Sequence, residues 1–254
     1  MEHKRKKPLR TGPARWLVLG AVIIGLTAGC AETQSLRRPP LPAMQVPASE
    51  GYGWRFVRFR MDRPAEQTRW ERDLLIAHRV VGPLIRANDG DIDMWRFHRR
   101  SAADQAAHQF SFLFYTSAAV ADRVHQTAME DPLVARMLSA GVIRKVFTDA
   151  VDQNDQPHMG DTSDPNWSPV MQDNWPYYIM GVSRMWLGMV DQVSRELGIA
   201  DDATMEQLLA HYEQVNDRVT HIWKKEGYHA LLHHLNAIYG YEALIYWEKR
   251  MKSF

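Results

Sequence analysis

Two clusters of side chains in this sequence could do chemistry. The first is W-R-F-H-R-R at 95–100, which carries Arg96 and Arg99, followed by A-H-Q-F-S-F at 107–112 with His108. Guanidinium groups bind carboxylates and oxyanions through several donors, and a nearby histidine is a candidate proton carrier. The second is E-G-Y-H-A-L-L-H-H-L-N at 226–236. Glu226 and His229 stand three apart there, His233 lies one turn further along the same helical face, and His234 and Asn236 lie beside it. Glu-x-x-His on a helix resembles half of a di-iron bundle site. Glu206 or Glu213 would have to add a carboxylate, and a second Glu-x-x-His is absent from the sequence. Glu226 and His229 are therefore the only metal candidates, set against a plainer reading as polar groups on a half-buried face, and no cofactor is expected. The acids at 152, 155, 161 and 164 do not make an EF-hand loop, because Pro157 stands where glycine is needed. No Gly-rich phosphate loop, Gly-x-Ser-x-Gly or zinc spacing occurs.

The elements that must position these groups follow from periodicity. Phe110, Phe112 and Phe114 alternate with Ser111, Leu113 and Tyr115, and the connection from 95–100 is short, so a hairpin is predicted. On its first strand, Arg96 and Arg99 should point to opposite faces. Residues 53–60 alternate in the same way and predict a strand, as does 142–151. Helices are predicted after Asp62 and Pro64, over 118–129, and over 131–139 with a break at Pro132. The order β-α-β-β-α-β implies a ferredoxin-like antiparallel sheet with both helices on one face, occupying 51–151. A polar, turn-rich stretch at 152–167 reads as a solvated linker.

The rest, 168–254, reads as an all-helical half packed on the sheet. Ser168-Pro169 is an N-cap and first-turn pair for a helix ending near Gly198 and kinked at Pro176. Asp201 or Asp202 would cap a second helix, Gly227 would interrupt it, and 228–251 would add a third with a break at Gly240. Trp167, Trp175, Tyr177, Tyr178, Trp186, Trp223, Tyr239, Tyr241 and Trp247 make this half aromatic. Such a stripe is usually core, with Trp175 and Tyr178 the candidates for ligand binding.

The formal net charge of +1 misleads. The first 29 residues hold six basic residues and one acid, which leaves 25 basic and 29 acidic residues, a net charge of −4, for the remainder. A mildly acidic body has no electrostatic footprint for nucleic acid. The basic run is followed by a short apolar stretch at 16–26, too short for a membrane span. It ends L-T-A-G-C, and Cys30 is the only cysteine. This resembles the lipobox of bacterial lipoproteins, although Thr27 stands where that motif prefers leucine. The resemblance implies a signal peptide at 1–29 and lipidation of Cys30, and the Pro-rich, aperiodic composition of 30–50 reads as a semi-rigid, disordered tether. With Ala31 after the cysteine, it also implies anchoring in the outer membrane, facing the periplasm.

The body resembles, in outline, the C-terminal elimination domain of class I lantibiotic and thiopeptide dehydratases. There, a W-F-F-x-R-Y strand is followed by H-L-R-L-R, and a late helix carries histidine four residues before N-R. Arg99 and His108 fall on family positions and Asn236 matches the asparagine. Phe110, Phe112 and Ala237 replace arginines, and the histidine falls on Leu232, with His233 and His234 beside it. The resemblance implies a peptide lyase using Arg99 with His233 or His234, with Arg96, His108 and Asn236 binding. Elimination needs cations for the enolate, and those losses remove them. The sequence therefore favours a non-catalytic, lipid-anchored envelope module that binds a peptide, lipid or protein. The lyase and a metal-binding helical domain are the alternatives.

Overall fold

The computed structural model describes residues 51–61, 68–104, 107–152 and 155–244. The leader, Cys30, the tether, the helix start at Asp62 and Pro64, and Trp247 lie outside these residues. The protein is α+β, with a four-stranded antiparallel sheet and a helical C-terminal half.

Strand β1 (Gly53–Met61) leads to α1 (Trp70–Ile76), a π-helical turn (Ala77–Val81) and α2 (Gly82–Ala87). The turn has a local cause. Pro83 has no N–H for the preceding turn, and the Gly82 N–H reaches back five residues to the Ala77 carbonyl. Strands β2 (Met94–Arg100) and β3 (Gln109–Thr116) follow, then α3 (Ala118–Glu130), α4 (Pro132–Ser139) and β4 (Ile143–Thr148). Asp131 ends α3 and caps α4, accepting from the Leu133 and Val134 amides. The strand order is β2-β3-β1-β4 with every neighbouring pair antiparallel, and the β1–β4 register shifts between Arg60 and Met61.

Alternation divides the sheet. Val57, Phe59, Phe97, Phe110, Phe112, Phe114 and Val146 point to one face and share a single core with α1, α2, α3, α4 and the helical half. Trp54, Met94, Leu113 and Tyr115 form a smaller cluster on the other face. The stretch at 152–167 is largely solvated, but it does more than connect. The Trp54 indole donates to the Met159 carbonyl at 2.8 Å, and the Tyr115 hydroxyl donates to the Pro157 carbonyl at 2.7 Å. A 3-10 turn (Met159–Thr162) is thereby docked over the apolar end of that second face.

Helix α5 (Pro169–Leu197) has Ser168 as its N-cap, runs through Pro176, and ends at Gly198 with φ 68°. It lies against β2, where the Ser183 hydroxyl accepts the Phe97 amide at 3.1 Å. Helix α6 (Met205–Gly227) packs on α1 and α5. Its cap is Thr204 rather than Asp201 or Asp202. Thr204 and Gln207 form a reciprocal capping box, a closer match to the first turn's geometry than either acid. Gly227 does not interrupt the helix. The chain stays helical through a π turn (Tyr228–His233) into α7 (His234–Ile238), and Gly227 is needed because a Cβ there would lie 2.7 Å from the Trp223 ring. Gly240 and Tyr241, both with positive φ, end it.

Candidate functional site

Helix α5 and the α6–α7 arm enclose a cleft of about 690 Å³. Its walls are mainly apolar. Gly181, Met185 and Trp186 come from α5, Val219 and Trp223 from α6, and Leu231, Leu235 and Ile238 from the arm. Cleft residues Tyr177, Tyr178, Met185, Trp223, Leu232 and Ile238 are all exposed. Four aromatics of the stripe expected to be core, Tyr177, Tyr178, Trp186 and Trp223, are therefore part of the wall of an open cavity. Its volume is that of a small-molecule site, where a few polar groups set orientation.

Arg99 is the single Lys, Arg, Asp or Glu among the described cleft residues, joined by His234, Asn216 and Thr220. Its guanidinium sits between two indoles, 4.6 Å from the Trp70 ring and 4.8 Å from Trp186, a cation–π sandwich. Its Nε donates to Asp73 Oδ2 at 2.8 Å, and His108 Nε2 donates to Asp73 Oδ1 at 2.8 Å. Asp73 is wholly buried, His108 nearly so, and Arg99 is partly open. Arg99 Nη2 and His108 Nδ1 have no partner among the described residues. The sheet and α1 thus present one cation to the cleft and neutralise it from behind with one carboxylate.

The other predicted site residues divide. Tyr178 and His234 line the cleft with Arg99, whereas Trp175, His233 and Asn236 do not. Arg96 points to the opposite sheet face, as alternation requires, and donates to the Thr162 carbonyl at 3.1 Å. His108 is sealed behind Asp73. Rings of His229, His233 and His234 lie 5.2–5.4 Å apart. However, no group of three or more His, Cys, Asp or Glu among the described residues could hold a metal, so Glu226 and His229 gain no third ligand. The α6 carboxylates do not join them because Glu206 and Glu213 lie four to six turns away along the same continuous helix. Sequence reasoning missed Asp73 and Trp70, and nothing in their neighbourhood marks them out.

A second polar knot joins the π turn to α5 and α6. His78 Nδ1 lies 2.7 Å from the Tyr212 hydroxyl and its Nε2 lies 3.2 Å from Asp191, while Ser194 meets His211 Nε2 at 2.8 Å. Ser194 and His211 are both buried, and Asp191 holds His78 rather than His211, so no nucleophilic triad forms. Burial raises the Tyr212 hydroxyl to about 12. Burial also holds His78 below its ordinary value, with Arg79 and Arg86 acting the same way and Asp191 opposing. A histidine whose folded value is depressed binds its proton first in the unfolded chain. Its cost is therefore absent above the unfolded value and grows as pH falls through it. Between pH 7.5 and about 5.5, urea midpoints should fall more for the parent than for His78→Gln; equal slopes would remove His78 from the acid response.

Compared with family models, curated proteins and solved structures, the chain gives no match.

Proposed function

We propose that this is a lipid-anchored cell-envelope protein whose body binds the apolar part of a ligand in the α5–α6–α7 cleft, without catalysing a reaction. The observation that carries this reading is the cleft itself, an open cavity walled by exposed aromatic and aliphatic side chains around one partly open guanidinium. Such a surface is costly to leave in water and is normally explained by what it receives. The lipobox-like run ending at Cys30 supports the anchor. The strand order β2-β3-β1-β4 supports a ferredoxin-like sheet as the platform.

Arg99 and His234 in one cleft favour the lyase reading, and so keep it as the second one. Against it stand the engagement of Arg99 by Asp73 and the placement of Arg96 on the far face. Titration of the full chain with a neutral fluorescent probe such as N-phenylnaphthylamine tests the binding reading. Saturable binding with a Kd on the order of micromolar is expected, and fluorescence that rises without saturation would overturn it. Separately, Cys30→Ser should release the folded body from membranes in cell fractions; retention in the membrane pellet would count against lipidation.

A further inference from the structure

The face of the sheet opposite the main core carries a second feature, independent of the cleft. Among the described residues, the 3-10 turn covers its upper end alone. Below that, two cross-strand rows run over the open face. One places Phe147, Arg58, Ser111 and His98 side by side, and the next places Lys145, Arg60, Gln109 and Arg100. Same-face neighbours on paired strands lie about 5 Å apart, so four permanent cations occupy a patch roughly 10–15 Å across.

These cations are built in rather than scattered. Arg58 stacks on Phe56 at 3.6 Å, and Arg60 and Lys145 stand over Phe147 at 5.0 and 4.4 Å. Between them the floor is polar and buried. Gln109 donates to the Ser111 hydroxyl at 3.1 Å, and Ser111 donates to no partner among the described residues. Among the described residues the counter-charge is thin, with Asp104 pairing Arg100 at 3.2 Å and Asp149 turned to Arg55 at 3.4 Å. Burial and then Arg100 hold Arg58 below its ordinary value, against Asp149. Burial, Arg100 and Arg96 do the same to His98, against Asp104. Like charges on facing strands destabilise a sheet, so folding alone gives no reason to gather them here.

We propose that this open sheet face is a binding site for a discrete ligand carrying two phosphate groups or a diphosphate. Arg58, Arg60, Arg100 and Lys145 would supply the charge, and the Ser111 hydroxyl a donor from the floor. Arginine forks suit phosphate oxygens, and the inter-strand spacing lets neighbouring cations take adjacent phosphates.

The test is calorimetric titration of the full chain with inorganic pyrophosphate, with sulfate as the control anion, for the parent and for Arg58→Gln/Arg100→Gln. The parent should bind pyrophosphate saturably and more tightly than sulfate, and added salt should weaken the binding. The double variant should bind at least about tenfold more weakly. Its melting temperature should be equal or higher, because a like-charge repulsion has been removed. Variant affinity within about twofold of the parent, or pyrophosphate binding no better than sulfate, would overturn the proposal. So would binding to phosphatidylglycerol vesicles with none to pyrophosphate, which would make the face a bilayer contact.

Discussion

Replacing Asp73 with alanine should lower folding stability by about 3–5 kcal/mol, the range for breaking a buried ion pair by removing one partner. The carboxylate is wholly buried and receives Arg99 on one oxygen and His108 on the other. Without it, Arg99 keeps its charge between two indoles with no counter-ion behind it. His108, whose Nδ1 already lacks a partner among the described residues, would lose its remaining hydrogen bond. Asp73→Asn keeps the shape and one acceptor, so its loss should be smaller. Urea denaturation of the three proteins measures both. An alanine variant within about 1 kcal/mol of the parent would show that Arg99 is held by its aromatic neighbours alone.

Gly181→Trp should weaken probe binding at least about tenfold while leaving the fold intact. Gly181 lies within α5 and lines the cleft, and a Cβ at that position would have nothing within 4 Å. A large side chain there enters open space instead of the core. Glycine inside a helix is about 1 kcal/mol worse than alanine. The variant should therefore melt at or above the parent temperature while its affinity for N-phenylnaphthylamine falls at least about tenfold, or about 1.4 kcal/mol. Undiminished binding would place the probe elsewhere and remove the cleft from the proposed function.

Much of the fold was legible because local signals agreed with tertiary demands. The alternation of Phe110, Phe112 and Phe114 with Leu113 and Tyr115 reports a strand packed on both faces, and both faces are indeed covered at that end. Ser168-Pro169 and Gly198 mark the ends of α5, and Gly240 the end of the arm. Where a residue has two uses, the sequence misleads. Gly227 reads as a breaker, but its lack of a side chain serves close approach to Trp223. The acids at 201 and 202 outrank Thr204 as caps until the reciprocal pairing with Gln207 is considered.

The candidate site was harder to read. Helical spacing of Tyr178, Trp186 and Trp223 shows that they share faces, but a face that lines a core and one that lines a cavity have the same spacing. Asp73 is one acid among the polar positions of a short helix, and its importance comes from Arg99 and His108, which lie 26 and 35 residues away. Arg58 and Arg60 stand two apart on β1, a spacing that puts them on one face, but only the register of the neighbouring strands shows that Lys145 and Arg100 join them there.

The contact between Ser183 and the Phe97 amide bears on life in company. An outermost strand with idle amides invites a strand from another molecule to add to it, and the danger grows with local concentration. Here α5 occupies β2 along that margin, and the opposite margin is short, carries a register shift, and presents Arg144 and Lys145. Many copies could stand shoulder to shoulder without their sheets joining into fibres. Ser183→Ala, by freeing one amide on that margin, is where such self-association would begin.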